Sequence, residues 1–180
     1  MAFDRHLYQP RVYLKSDLAE VRPVPLNEGE RDFVLNLKTF YEGNKPYFAD
    51  KELYLLRNQS RRGVGFFEEG GFYPDFILWL LSGDKQFVSF VDPKGLRNLG
   101  GLQDRKIQFY QKIKELQDRL GDPNMVLNSF ILSTTPLHQI QHWEGGIGIS
   151  DLEARNVFHQ TPGNTGYIRS MLNRVITPSG

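Results

Sequence analysis

Residues 72–94 read FYPDFILWLLSGDKQFVSFVDPK, two apolar runs joined by the polar tetrapeptide Ser82-Gly83-Asp84-Lys85. Aromatic and branched residues dominate both runs, and turn-forming residues bound them, which is the composition of paired strands. Gly83-Asp84 suits the two central positions of a tight hairpin turn, because glycine tolerates the positive φ that such turns require. A hairpin centred there pairs Leu80 with Phe87, Trp79 with Val88, Ile77 with Phe90 and Phe76 with Val91. The next pair outward is Asp75 with Asp92. Both faces are apolar, with Ile77, Trp79, Val88 and Phe90 on one and Phe76, Leu78, Leu80 and Phe87 on the other. Strands of this kind are covered on both sides.

Directly opposed residues lie about 5 Å apart at Cβ. Two ionised carboxylates at that separation repel by on the order of 3 kcal/mol at an effective dielectric near 20. A cation between them, or a proton retained by one of them, relieves the repulsion. Lys94 follows Asp92 by two residues and so projects from the same face of its strand. Taken singly, Pro74-Asp75 reads as a strand start and Asp92-Pro93 as a strand end. The hairpin register couples the two dipeptides, and the coupled reading is a site of two acids and one base.

Outward from the hairpin, Phe33, Val34, Leu37, Phe40 and Tyr41 recur at helical spacing after Asn27, and the pattern stops near Gly43-Asn44. Glu52–Arg57 is a strand candidate, Asn58–Gly65 a polar loop, and Phe72–Leu81 and Gln86–Val91 are the hairpin strands. Arg105–Leu120 returns to helical period and is stopped by Gly121-Asp122-Pro123. Met125–Leu132 reads as a further strand and Tyr167–Val175 as a short helix. Residues 1–26, with Pro10, Pro23 and Pro25, read as an irregular arm with a short strand at Arg11–Leu14. Residues 27–180 form one domain, with a core over about 27–133 and an extension over 134–180. The order helix-strand-strand-strand-helix-strand predicts an α/β (α+β) fold with a mixed central sheet of four or more strands flanked by helices.

Phe72-Tyr73-Pro74-Asp75-Phe76 and Phe90-Val91-Asp92-Pro93-Lys94-Gly95 resemble the paired motifs of the PD-(D/E)xK nuclease superfamily. The element order over about 27–133 is similar to that family's restriction-endonuclease-like core. The contexts of both motifs are similar to the C-terminal endonuclease regions of type III restriction enzymes and of DEAD/DEAH-box helicase–nuclease proteins. Asp4-Arg5-His6-Leu7-Tyr8 and Leu26-Asn27-Glu28-Gly29-Glu30 fit that neighbourhood. The resemblance implies a Mg²⁺-dependent endonuclease acting on DNA, with Mn²⁺ able to substitute. Asp75 and Asp92 are then metal ligands, joined by the Pro93 carbonyl, and Lys94 positions or deprotonates the attacking water. It also implies a helicase/ATPase domain or a methyltransferase subunit as partner. No G-x-x-x-x-G-K-[ST] loop occurs in this sequence, so ATP enters only through a motor lying elsewhere, with this chain as the nuclease piece of a longer protein.

Many family members add an acid from the first helix, and Glu30 heads the buried stripe of Phe33, Val34 and Leu37. Asn27 to Glu30 also fits a capping box, which leaves Glu30 as either metal ligand or helix cap. Glu68 and Glu69 read as a solvated loop or as a second-metal site. Arg57, Arg61, Arg62, Arg97, Arg105 and Lys106 are candidate phosphate contacts. His138 and His142 are four apart, a zinc spacing that lacks a third ligand. Trp79 and Trp143 read as core or rim packing.

The 180 residues carry 22 Lys and Arg against 21 Asp and Glu, so a polyanion partner has to be met by local rather than global positive charge. With no cysteine, disulfides and thiolate metal sites are excluded. No apolar run reaches the roughly 20 residues of a membrane span, and the opening residues lack a signal-peptide core; a cytoplasmic protein is expected. The rival to an active nuclease is the same fold used, without cleavage, as a DNA-binding or interaction module.

Overall fold

The computed structural model describes residues 25–59, 63–66, 72–140 and 142–177. The expected strand at Arg11–Leu14, most of the N-terminal arm, Arg61, Arg62, Glu68 and Glu69 lie outside the described residues. The chain runs α1 (Glu28–Gly43), β1 (Lys51–Arg57), β2 (Phe76–Ser82), β3 (Lys85–Lys94), α2 (Arg105–Leu120), β4 (Met125–Ser133), α3 (Ile149–Glu153), β5 (Val157–His159) and α4 (Gly166–Ile176). Among the described residues no helix is long and apolar enough to cross a membrane.

Five strands form one mixed sheet in the order β1-β2-β3-β4-β5. The first three are antiparallel neighbours, and β4 and β5 continue the sheet in parallel. The fold is therefore α+β with helices on both sheet faces. The expected element order describes the chain as far as β4. Beyond it, the stretch expected as an extension adds a fifth strand to the sheet and a helix to the core. That strand has only three residues and a single apolar pair, Val157-Phe158, which is too little for an alternation pattern to register.

The β2–β3 register is the one the hairpin turn dictates, with Leu80 opposite Phe87 and Phe76 opposite Val91, and Gly83 has a positive φ of 57°. The strand limits differ at the outer end. β2 begins at Phe76 rather than Phe72, because Pro74 has no N–H for a ladder and Phe72 bridges to Phe66 instead. β3 runs on through Pro93 to Lys94. The Lys94 carbonyl accepts from Thr134 N–H at 3.0 Å on the β4 side, so the adjacent Pro93 nitrogen faces the β2 side, where β2 has already ended. A proline there interrupts no hydrogen bond.

One face of the sheet packs Phe76, Leu78, Leu80, Phe87, Val91, Phe130 and Leu132 against Phe33 and Leu37 of α1 and Ile168, Met171 and Leu172 of α4. Phe33 meets Phe76 edge-on with ring centroids 5.2 Å apart. Each such ring contributes roughly 1.5–3 kcal/mol through its burial. On the other face, Phe109 and Ile113 of α2 cover Ile77, Val88, Phe90 and Leu127. Leu96, Ile107, Ile131 and Val157 form a further cluster beneath Trp143 and Leu152. Trp143 is buried packing, and Trp79 lies 37% exposed on the sheet with its Nε1 donating to Gln86 Oε1 at 3.3 Å.

Candidate active site

Four elements bring charged groups to one rim of the sheet. Asp75 immediately precedes β2, and Asp92, Pro93 and Lys94 end β3. Arg57 ends β1, and Glu30 lies in the first turn of α1. The hairpin register, continued one pair beyond Phe76–Val91, carries Asp75 to the position opposite Asp92, where each carboxyl group acts on the other. Burial, then the Asp92 charge, push the Asp75 carboxyl up to about 8, with the charge of Glu30 adding to the rise and Lys94 opposing it. Lys94 donates to Asp92 Oδ2 and also lies 5.8 Å above the Phe72 ring. Asp75, Asp92 and Lys94 therefore form one contiguous cluster.

Glu30 acts on it electrostatically, and its helix is capped by Asn27. Its backbone N–H donates to Asn27 Oδ1 at 2.9 Å, and its Oε1 accepts from Asn27 Nδ2 at 2.7 Å. Its Oε2 accepts from Arg57 Nη2 at 3.0 Å. Burial raises the Glu30 pKa, the Arg57 charge lowers it, and Asp92 raises it further. Glu30 is thus bonded to the capping residue Asn27 and to Arg57, and Asp92 acts on it through charge.

The supporting contacts were not evident in the sequence. Asn58 is buried, and its Nδ2 donates to the carbonyls of Pro74 at 2.8 Å and Val64 at 2.7 Å. Its Oδ1 accepts from Val64 N–H at 2.9 Å, and its own N–H donates to the Asp75 carbonyl at 2.8 Å. This one side chain ties the loop after β1 to the segment that presents Asp75. Two glycines permit the close approach: a Cβ on Gly63 would lie 2.0 Å from Asn58 Oδ1, and one on Gly65 2.3 Å from the Tyr73 ring. On the opposite side, Gln160 Nε2 donates to the Gly29 carbonyl at 2.8 Å and holds the head of α1 against the end of β5. The sequence signal in each case is only an amide or a glycine beside a strand end.

The remaining candidates are placed as follows. Arg57 contacts Glu30 and the Pro25 carbonyl, at 3.1 Å, rather than standing on an open basic face. Arg97 is exposed beyond β3 with its Nε on Gln139 Oε1 at 2.6 Å, and Arg105 and Lys106 are exposed in the first turn of α2. Arg61 and Arg62 lie outside the described residues. His138 sits in a short 3₁₀ turn and His142 beyond it, not on one helix face.

Among the described residues no three acidic or histidine side chains converge closely enough to make a metal cluster on their own. The donor set that could hold a divalent cation is the Asp75–Asp92 pair, where a cation would replace the proton that burial and the Asp92 charge keep on Asp75. The Pro93 carbonyl faces the side where β2 has ended. Two carboxylates and a carbonyl suit Mg²⁺, which retains several waters and takes few protein ligands. No family model matches this chain, and no curated protein or solved structure shows a significant match to it.

Proposed function

We propose that the chain is a metal-dependent nuclease with a restriction-endonuclease-like core, hydrolysing DNA phosphodiester bonds at the cluster of Asp75, Asp92 and Lys94. The observation that carries this reading is a pair of aspartates brought opposite one another by the hairpin register, with the Lys94 ammonium donating to the second of them. Folding this chain places acidic groups together at an electrostatic cost. Such perturbed carboxylates concentrate at functional sites. Asp75 and Asp92 would hold Mg²⁺ or Mn²⁺, with the Pro93 carbonyl beside them. Bound there, the cation supplies Lewis-acid polarisation of the phosphodiester. Lys94 would orient the attacking water and stabilise charge growing on the phosphate oxygens. Arg97, Arg105 and Lys106 supply backbone contacts to DNA, while sequence choice and any ATP-driven partner domain belong to parts beyond this cluster.

Incubation of supercoiled plasmid with the full chain and Mn²⁺ tests the proposal, with Asp92→Ala alongside. Nicking by the parent and none by the variant is the expected result. DNA retained in a gel-shift but left uncut would instead favour a binding module. Neither binding nor nicking, with a folded parent protein, would overturn the nuclease reading.

A further inference from the structure

Asp92 and Lys94 alternate with Pro93 along β3, so they project from the same sheet face as Phe90, the face covered by α2. Phenylalanines from separate segments meet on that face: Phe66 and Phe72 precede β2, Phe90 belongs to β3 and Phe109 to α2. Phe66 meets Phe90 edge-on with centroids 4.8 Å apart, and Phe72 meets Phe109 edge-on at 5.0 Å. The backbone ties the first two rings together. Phe66 N–H donates to the Phe72 carbonyl at 2.8 Å, and Phe72 N–H donates to the Phe66 carbonyl at 3.3 Å. Phe72 is buried, and Lys94 Nζ stands over its ring at 5.8 Å from the centroid. The Lys94 ammonium thus has partners on two segments. One is the Asp92 carboxylate of its own strand, and the other is the Phe72 ring, three residues ahead of Asp75.

We propose that Phe72 is a positioning residue for Lys94: its ring face and the Asp92 carboxylate together hold the ammonium at the rim, so the segment that presents Asp75 also sets where Lys94 points. This rests on the role given to Lys94 in the nuclease reading above. An aliphatic residue in place of Phe72 would cover the lysine stem equally well. The ring adds the negative face of its quadrupole, which attracts a cation within about 6 Å. A flexible four-carbon stem is thereby held from two directions instead of one. The edge of the same ring would repel the ammonium, and packing against Phe66 and Phe109 keeps the face toward it. Phe72 acts through Lys94 and needs no contact with DNA or with a cation.

Two readouts on the full chain test this, one of geometry and one of rate. A ring face shifts the protons above it upfield in nuclear magnetic resonance. The Lys94 CεH₂ protons, identified by their loss in Lys94→Arg, are expected upfield of the other lysines in the parent and in Phe72→Tyr. In Phe72→Leu they should fall among the other lysines. For Mn²⁺-dependent nicking of supercoiled plasmid, Phe72→Leu is expected to lose about 3- to 10-fold in kcat, with KM for DNA little changed, and Phe72→Tyr to restore most of the rate. Trifluorophenylalanine at position 72 keeps the ring's shape and drains negative charge from its face. It is expected to slow nicking as Phe72→Leu does while circular dichroism and Tm stay those of the parent; a ring that only packs would leave the rate alone. Lys94 protons that resonate with the other lysines in the parent, or a trifluorinated protein as fast as the parent, overturn the positioning role and leave the nuclease reading standing. A folded parent that nicks no plasmid overturns both.

Discussion

A carboxyl group that keeps its proton to about pH 8 makes the folded chain bind a proton that the unfolded chain has already released. The unfolded Asp75 titrates near 3.9. Below that value both states are protonated and the group has no effect on stability. Between about pH 4 and pH 8 only the folded state holds the proton, so stability falls as pH rises. Asp75→Asn removes this dependence. The expected result is a metal-free variant more stable than the parent by about 2 kcal/mol at pH 8, roughly 4–8 °C in Tm, with the difference vanishing below about pH 4. Mn²⁺ should raise the Tm of the parent and not that of the variant, which thermal scans across pH with and without the ion will check. Lys94→Ala and Asp92→Asn are each expected to reduce plasmid nicking by at least 100-fold while circular dichroism stays that of the parent. Loss of the fold in both would assign the pair a structural role instead.

At the scale of elements, the hairpin explains why the acids were legible and their supports were not. A two-residue turn fixes pairing by parity, and parity alone carries Asp75 to face Asp92. The helices of residues 28–43 and 105–120 were equally legible, since each has a repeating apolar stripe and a terminating Asn44 or Gly121. β5 was not, because three residues are too few for an alternation to show, and the contacts of the loop after β1 were not, because Asn58 reaches along the chain rather than following a local period. Asn58 illustrates the point. Its three side-chain bonds to Val64 and Pro74 predict that Asn58→Ala costs about 2–3 kcal/mol and speeds hydrogen exchange in the segment around Asp75 ahead of the rest of the sheet. Gly65→Ala should act in the same direction through the Tyr73 ring. If either variant exchanges as the parent does, Asn58 is not the tether described.

For the molecule as a whole, near-neutral net charge limits how DNA can be held. Three exposed cations, Arg97, Arg105 and Lys106, lie on the α2 side of the acids, which predicts a modest salt dependence: log Kd should change with log salt by about 3, and each single Ala substitution should lower that slope by about one. A slope unaltered in all three variants would place the DNA elsewhere.

The sheet itself has two unlike margins. β5 covers β4 only from Ile131 to Ser133. Farther down, Gln117 Oε1 takes the Leu127 N–H at 2.8 Å and Lys114 Nζ takes its carbonyl at 2.6 Å. Side chains of α2 thus take both edge-facing backbone groups of Leu127, whereas among the described residues β1 pairs on its inner side alone. The longer open border among the described residues is therefore β1, whose seven residues offer an unpaired ladder to a second copy where β5 offers three.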